Sequence, residues 1–325
     1  MSYGGYDIGA AKVRTQERVA LVRQTIFSSR GCHELMNPLG LRFREALDSL
    51  EHPESRAIVW FVDVSKSMED IPDELARRTL PKFVEMVLPI LPDAQFLFGA
   101  VGDAEDGNDR APLQIGQWES SDVLVEQWLL RIYLEGGGGD NRLKPSYESY
   151  DLPLFFSARM TQIDCYEKRG QRGYLFLSVD ECPRERVSAQ VVNRVFGRII
   201  LEKDLSLHQV IQEVAQKFHV FVLIPDLRRA EECEAQWRAY LGDNVITMIK
   251  PDVSTGSPTG ADSSVVASTL IQLTEGKIKD DLAFAQMLEH SGCDQAQVSR
   301  VYRAVHAYAV TRPEFANTNR PAVQV

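Results

Sequence analysis

Cysteine is scarce in this chain. Five stand in 325 residues, at Cys32, Cys165, Cys182, Cys233 and Cys293, and no two form a CxxC pair. Neither a disulfide framework nor a zinc finger is expected, and a reducing cytoplasm is. Cys32-His33 offers two soft ligands, but no second pair follows at zinc spacing. Lys and Arg form no long block and the net charge is −10, which argues against an extended nucleic-acid footprint. No apolar run is long enough for a bilayer, and the opening MSYGGYDIGAAKVRTQERVA has no apolar core of the signal-peptide kind. No membrane association is expected. There is no internal repeat. With 44% hydrophobic and 25% charged residues the composition is that of an ordinary globular protein, long enough to bury a large core.

What the chain does have is a series of apolar runs rich in β-branched and aromatic residues. Strands are expected at 57–64, 95–102, 113–118, 173–180, 219–225 and 244–249. The third alternates, as an edge strand exposed on one face would. Amphipathic helices are expected between and around them, at 72–91, 122–134, 146–167, 205–218, 262–273, 281–289 and 295–309. Pro153 should kink the 146–167 helix or mark its true first turn. Ahead of the first strand, 13–26 reads as a helix with Val19, Leu21, Val22 and Ile26 on its apolar stripe. Strands alternating with helices predict an α/β fold: a doubly wound, mainly parallel six-stranded sheet flanked by helices. The expected divisions are an N-terminal extension (1–52), the α/β domain (53–276), C-terminal helices (277–312) and a disordered tail (313–325).

The first strand ends in Asp63, Ser65 and Ser67, an Asp-x-Ser-x-Ser triplet. One carboxylate and two hydroxyls at this spacing converge on one point beyond the strand, and such hard oxygens suit Mg²⁺ or Mn²⁺. The alternative is that Asp63 and Ser67 merely cap a following helix. Two more strands end in acids, Asp103 and Asp180. In doubly wound sheets ligands sit at the carboxyl ends of strands. Acids collected there repel one another unless a cation lies among them. After the 122–134 segment comes EGGGGDNR at 135–142, four glycines that let the backbone approach a ligand closely or serve only as a loop. No Gly-Lys-Ser/Thr follows and no strand leads in, so neither a Walker A loop nor a dinucleotide fingerprint is present.

In order along the chain stand Asp63-x-Ser65-x-Ser67, Ala100–Asp103 (AVGD), Arg110–Gln114 (RAPLQ), Gly136–Gly139, Glu148–Tyr150 (ESY) and Tyr174–Phe176 (YLF). Together these resemble a von Willebrand factor A (vWA) domain of a bacterial, intracellular type, whose metal-ion-dependent adhesion site opens with Asp-x-Ser-x-Ser. The resemblance spans about 57–276. It implies metal ligation by Asp63, Ser65 and Ser67, with the final acid on Asp180 or the nearby Glu181. The family's middle ligand is usually a Thr before a helix, and none stands in 135–150; Ser149, Glu148 and Asp140 are the replacements. Lys66 takes the place of a small residue between the serines.

The resemblance implies a non-catalytic, Mg²⁺-dependent protein-binding module to which a partner lends a Glu or Asp carboxylate. It also implies work inside the cell beside an AAA+ ATPase or a stress or phage-defence system. The competing function is a metal-dependent hydrolase or phosphotransferase using the same acids. Against it, Ser65 stands where an aspartyl-phosphate enzyme would need a second Asp, and none of the six histidines lies near the acids. Cys182 follows Asp180 closely but has no neighbouring His.

Overall fold

The computed structural model describes residues 4–27, 29–65, 68, 71–105, 109–134, 147–225, 227–248 and 262–316. Six strands form its central sheet: β1 (Arg56–Asp63), β2 (Ala94–Val101), β3 (Leu113–Ile115), β4 (Gly173–Ser178), β5 (Phe218–Ile224) and β6 (Val245–Thr247). Their spatial order is β3-β2-β1-β4-β5-β6. All neighbours run parallel except β2 and β3. The expected doubly wound α/β sheet is therefore present, with strand limits within a few residues of those read from the apolar runs. Continuous apolar runs suit these strands because helices cover both faces.

Residues alternate between the two faces. Ile58, Trp60 and Val62 of β1 join one core with α2 (Leu80–Val87), α3 (Asp122–Leu130), α8 (Ser263–Thr274), α9 (Asp281–His290) and α10 (Gln295–Ala309). Ala57, Val59 and Phe61 join the other, with α4 (Asp151–Arg159), α5 (Ala189–Phe196), α6 (Leu207–Lys217) and α7 (Leu227–Leu241). The first core holds a run of aromatic pairs, Trp60–Phe83, Trp60–Phe176, Phe176–Phe221 and Phe221–Tyr308, with centroids 5.0 to 5.5 Å apart. Each such pair contributes about 0.5–1.5 kcal/mol beyond its buried area. The last pair draws α10 onto the sheet, so the C-terminal helices share the sheet's core.

Several local expectations need correcting. The 146–167 segment is not one helix. Tyr147–Glu148 is extended, α4 follows with Pro153 in its first turn, and Thr161–Ile163 pairs in parallel with Arg44–Ala46. The missing proline N–H is harmless at that position, which fixes where the helix begins. β3 is buried on both faces. Its polar residue Gln114 is satisfied there, donating to Tyr133 O at 2.9 Å and accepting from Tyr133 N at 2.8 Å. Helices α5 and α7 were not foreseen. In the expected tail, Pro313–Ala316 forms a helical turn with Phe315 buried, and 317–325 lies outside the described residues.

The N-terminal helix is the clearest departure. It is α1 (Ile8–Val19), followed by a separate turn (Arg23–Ile26); of the expected stripe Ile26 is buried but Val19, Leu21 and Val22 are exposed, while Ala11, Thr15 and Arg18 are buried. Charge rather than an apolar stripe docks it. Glu126 of α3, almost fully buried, accepts from Arg14 Nε and from Arg18 Nη1, each at 2.8 Å. Arg14 also pairs with Asp122. Breaking a buried ion pair from one side leaves an uncompensated charge, typically a loss of about 3–5 kcal/mol. Glu126→Ala should therefore lower unfolding free energy by ~3 kcal/mol in denaturant titration. It should also expose 8–19 to limited proteolysis first. A loss under ~0.5 kcal/mol would mean that apolar contacts, not this cluster, hold the helix.

Candidate functional site

The chain reverses its direction of winding between β1 and β4, since β2 and β3 lie on one side of β1 and β4 to β6 on the other. Such a switch point opens a crevice beyond the carboxyl ends of the two central strands. Asp63 ends β1, and Asp180 lies two residues past β4. Both are buried, at 0% and 2% exposure, where an uncompensated carboxylate is costly.

Local geometry holds Asp63 from two sides. Its Oδ1 accepts from Ser65 N at 2.7 Å, so the loop turns tightly just past the strand, and the Ser65 hydroxyl also bonds to this carboxylate. Its Oδ2 accepts from the Tyr150 hydroxyl at 2.5 Å. Tyr150 Oη in turn accepts from Asp180 N at 3.3 Å, tying the ends of β1 and β4 together. Tyr150 packs on Trp237 at 5.6 Å, and Trp237 Nε1 donates to Glu181 O at 3.0 Å. Arg229 Nε lies 3.6 Å from Asp180 Oδ2. Glu148 arrives by strand pairing, Tyr147 and Glu148 running beside Cys182 and Pro183.

Electrostatics disfavour the charged form of three buried carboxyls here. Burial, then the charge of Asp180, raises the pKa of Asp63 well above the carboxylate range. Glu148 is raised by burial first and then by Asp63, Glu181, Asp103 and Asp180. Glu148 Oε2 is buried with no hydrogen-bond partner among the described residues. Asp151, fully buried at the start of α4, is pushed up to about 7, mainly by desolvation, with Arg184 opposing. Burial also raises the Cys182 thiol, the direction opposite to that of an activated nucleophile.

Asp63, Ser65, Glu148 and Asp180 thus lie within electrostatic reach of one another beyond β1 and β4. Asp103 and Ser149 stand slightly apart from them. Asp103 Oδ1 accepts from Arg184 Nη2 at 2.7 Å and from the Ser149 hydroxyl at 3.3 Å. Ser149 Oγ meanwhile accepts from Ala104 N at 2.9 Å. Arg184 therefore answers the Asp103 charge, and Ser149 braces that loop. Ser67, Lys66, Asp140 and Gly136–Gly139 lie outside the described residues. Tyr150, Trp237, Arg184 and Arg229 were not foreseen; only Tyr150 had a visible signal, its place in the Glu-Ser-Tyr run.

Among the described residues no three His, Cys, Asp or Glu side chains form a ready-made metal cage. Cys32-His33 is engaged locally, with His33 Nδ1 accepting from Leu35 N at 3.2 Å. The donors at the rim are hard oxygens, carboxylates mixed with a hydroxyl. They fit a cation that keeps several waters, such as Mg²⁺, better than one caged wholly by protein. The orphaned Glu148 oxygen and the mutual repulsion are what a divalent charge would relieve.

No family model matches this chain, and no curated protein matches it in sequence. Solved structures do. The pilus adhesin SpaC from Lactobacillus rhamnosus GG, in its open conformation, aligns with a TM-score of 0.42 at 11% identity, over 73% of this chain and 31% of the adhesin. Another form of that adhesin gives 0.40 at 13% identity, over 71% and 31%. The SpRpn10 VWA domain gives 0.36 at 11% identity, over 63% of this chain and 97% of that domain. This chain thus spans less than a third of the adhesin's length and matches nearly all of the SpRpn10 domain. The six-stranded order and the helices on both faces are those of a vWA- or Rossmann-like α/β fold; at these TM-scores and identities the likenesses carry nothing further. Among the described residues no helix is long and apolar enough to cross a membrane.

The raised acids carry a pH signature. A carboxyl whose folded pKa exceeds its unfolded value binds more protons when folded, so stability falls as pH rises between the two. For Asp151 that window runs from the unfolded value, about 4, to about 7. Asp63 and Glu148 shift in the same direction. In EDTA, unfolding free energy should therefore decline from pH 5 to pH 7.5. Asp151→Asn should flatten that slope by up to ~1.4 kcal/mol per pH unit. An unchanged slope would show that Asp151 is not titrating there.

Proposed function

We propose that this protein is a non-catalytic, divalent-cation-dependent protein-binding module. The observation that carries the reading is the buried acid cluster at the switch point, above all Glu148 Oε2 with no hydrogen-bond partner among the described residues. Asp63, the Ser65 hydroxyl, Asp180 and Glu148 would hold Mg²⁺ or Mn²⁺ between them, with Ser67 completing the Asp-x-Ser-x-Ser set. When bound, the ion supplies a positive charge and an open position that a partner's Glu or Asp can fill. Glu148 makes the set more anionic than one built on hydroxyls, which favours the metal and weakens its pull on an external carboxylate.

The protein's own groups do the rest. Tyr150 keeps Asp63 oriented through its short hydrogen bond, and burial raises the Tyr150 pKa, so it remains a neutral donor. Trp237 fixes the loop carrying Glu181, and Arg229 offsets part of the Asp180 charge. The resemblance of the Ala-Val-Gly-Asp, Arg-Ala-Pro-Leu-Gln and Glu-Ser-Tyr runs to bacterial intracellular vWA proteins suggests an assembly partner such as an AAA+ ATPase. It equally suits a stress or phage-defence system.

Calorimetry with Mg²⁺ and Mn²⁺ should show one site per chain, abolished by Asp63→Ala. In a pull-down, partner capture should disappear in EDTA and return with Mg²⁺. Ser65→Ala, which removes a neutral ligand, should weaken capture by roughly 1–3 kcal/mol, and Asp63→Ala by more. Equal capture in EDTA, or phosphoester turnover abolished by Asp63→Ala, would overturn the reading in favour of a hydrolase.

A further inference from the structure

At the amino-terminal rim of the sheet, opposite the acid cluster, arginines stand among carboxylates such as Asp93 and Glu275, and one group of arginines lies beside β4 and β5. Arg56 opens β1, Arg172 immediately precedes β4, and His219 is the second residue of β5. Alternation places Arg56 on the face of Ile58 and Trp60, and His219 on the face of Phe221. This is the face that α10 covers. There the Tyr174 and His219 rings stack at 5.2 Å, and Tyr308 of α10 meets Phe221 edge-on at 5.0 Å. Arg312, just past α10, lies over the Tyr308 ring at 4.4 Å. Arg56 Nη1 donates to Arg172 O at 3.0 Å. Three arginines from distant parts of the chain therefore gather around one histidine.

Their charges are incompletely answered. Glu275 accepts from Arg56 Nη1 at 3.0 Å and from the Tyr174 hydroxyl at 2.5 Å, so it serves Arg56. Among the described residues the Arg172 side chain makes one long hydrogen bond, to Ala215 O at 3.4 Å, and that of Arg312, besides lying over Tyr308, hydrogen-bonds the Thr311 hydroxyl. Neither pairs with a carboxylate among the described residues, although the chain carries a net charge of −10. Burial first, then Arg172, Arg56 and Arg312, holds the His219 pKa down at about 3. The ring is thus neutral at pH 7 and offers one N–H donor.

A simpler account is that Arg172 and Arg312 answer the carboxyl ends of α6 and α10, where cations are favoured. That explains their positions but leaves both guanidiniums, each close enough to act on His219 and on Tyr308, without a carboxylate partner among the described residues. We propose that this rim binds a compact dianionic oxyanion of the phosphate class, clamped by the Arg172 and Arg312 guanidiniums beside Arg56 and His219. The planar guanidinium fork matches paired oxygens of a tetrahedral anion. A bound dianion opposes the positive field on His219, so the ring becomes easier to protonate.

The test uses the full chain and inorganic phosphate at constant ionic strength, followed by calorimetry and by the His219 ring-proton resonance, assigned with His219→Gln. One phosphate should bind per chain, and Arg172→Ala and Arg312→Ala should each weaken it at least tenfold. Without phosphate His219 should not titrate between pH 5 and pH 8; with saturating phosphate its midpoint should enter that window. Arg312→Lys, which keeps the charge but not the fork, should fall between wild type and Arg312→Ala. A phosphoserine peptide that binds as tightly as phosphate would identify the source as a phosphorylated side chain. Binding of inorganic phosphate alone would identify a free anion. An equal response to acetate, or a His219 resonance unmoved by phosphate, would overturn the proposal and leave the arginines as helix-end partners. The wild-type resonance decides the matter even if an alanine variant fails to fold.

Discussion

The carboxylate of Asp63, buried at the end of the central strand, is the constraint on which the functional end of the molecule is built. β1 lies in mid-sheet, covered by helices on both faces, so whatever ends it is removed from bulk water. A charged group can stay there only if donors converge on it. Ser65 N supplies one from the same loop, and Tyr150 supplies another from 87 residues away. Tyr150 is positioned in turn by Trp237 of α7. One buried charge thus links the end of β1 to the start of α4 and to α7.

Neighbouring acids make the arrangement electrostatically tense rather than merely satisfied. Asp63, Glu148 and Asp180 each raise the energy of the others' charged forms. A site tuned only for stability would replace some of them by neutral groups. Their meeting in one crevice at mutual cost is the feature on which the proposed cation site rests. By contrast Asp103, just past the end of the neighbouring strand β2, is paired within the fold with Arg184.

The fold was largely legible because parallel strands covered on both faces are written as unbroken apolar runs. Val59 to Val62 and Phe96 to Phe98 can hardly be anything else. Asp63 and Asp180 were legible for the same reason, as polar residues that abruptly end such runs. What failed was whatever depends on distant partners. The N-terminal helix was read from Val19, Leu21 and Val22, yet Glu126, 108 residues beyond Arg18, decides which side faces inward. Asp103 looked equivalent to Asp63 until Arg184, 81 residues on, proved to claim it. Tyr150 was visible only as the end of the Glu-Ser-Tyr run, with nothing to tie its hydroxyl to Asp63, and the Cys182–Pro183 pairing that delivers Glu148 is only two residues long.

The sheet also has a polarity beyond its strand direction. Acids crowd one end of β1 and β4, while Arg56, Arg172 and Arg312 gather at the other, about 25 Å away by strand rise. Groups of opposite sign therefore stand at opposite ends of the two central strands, each answered in part within the fold, by Arg184 and Arg229 at the carboxyl rim and by Glu275 at the other. What remains of each local field reaches over roughly a Debye length and fades with added salt. A cation is favoured at one rim and an anion at the other, so the two ends of one sheet offer chemically opposite surfaces.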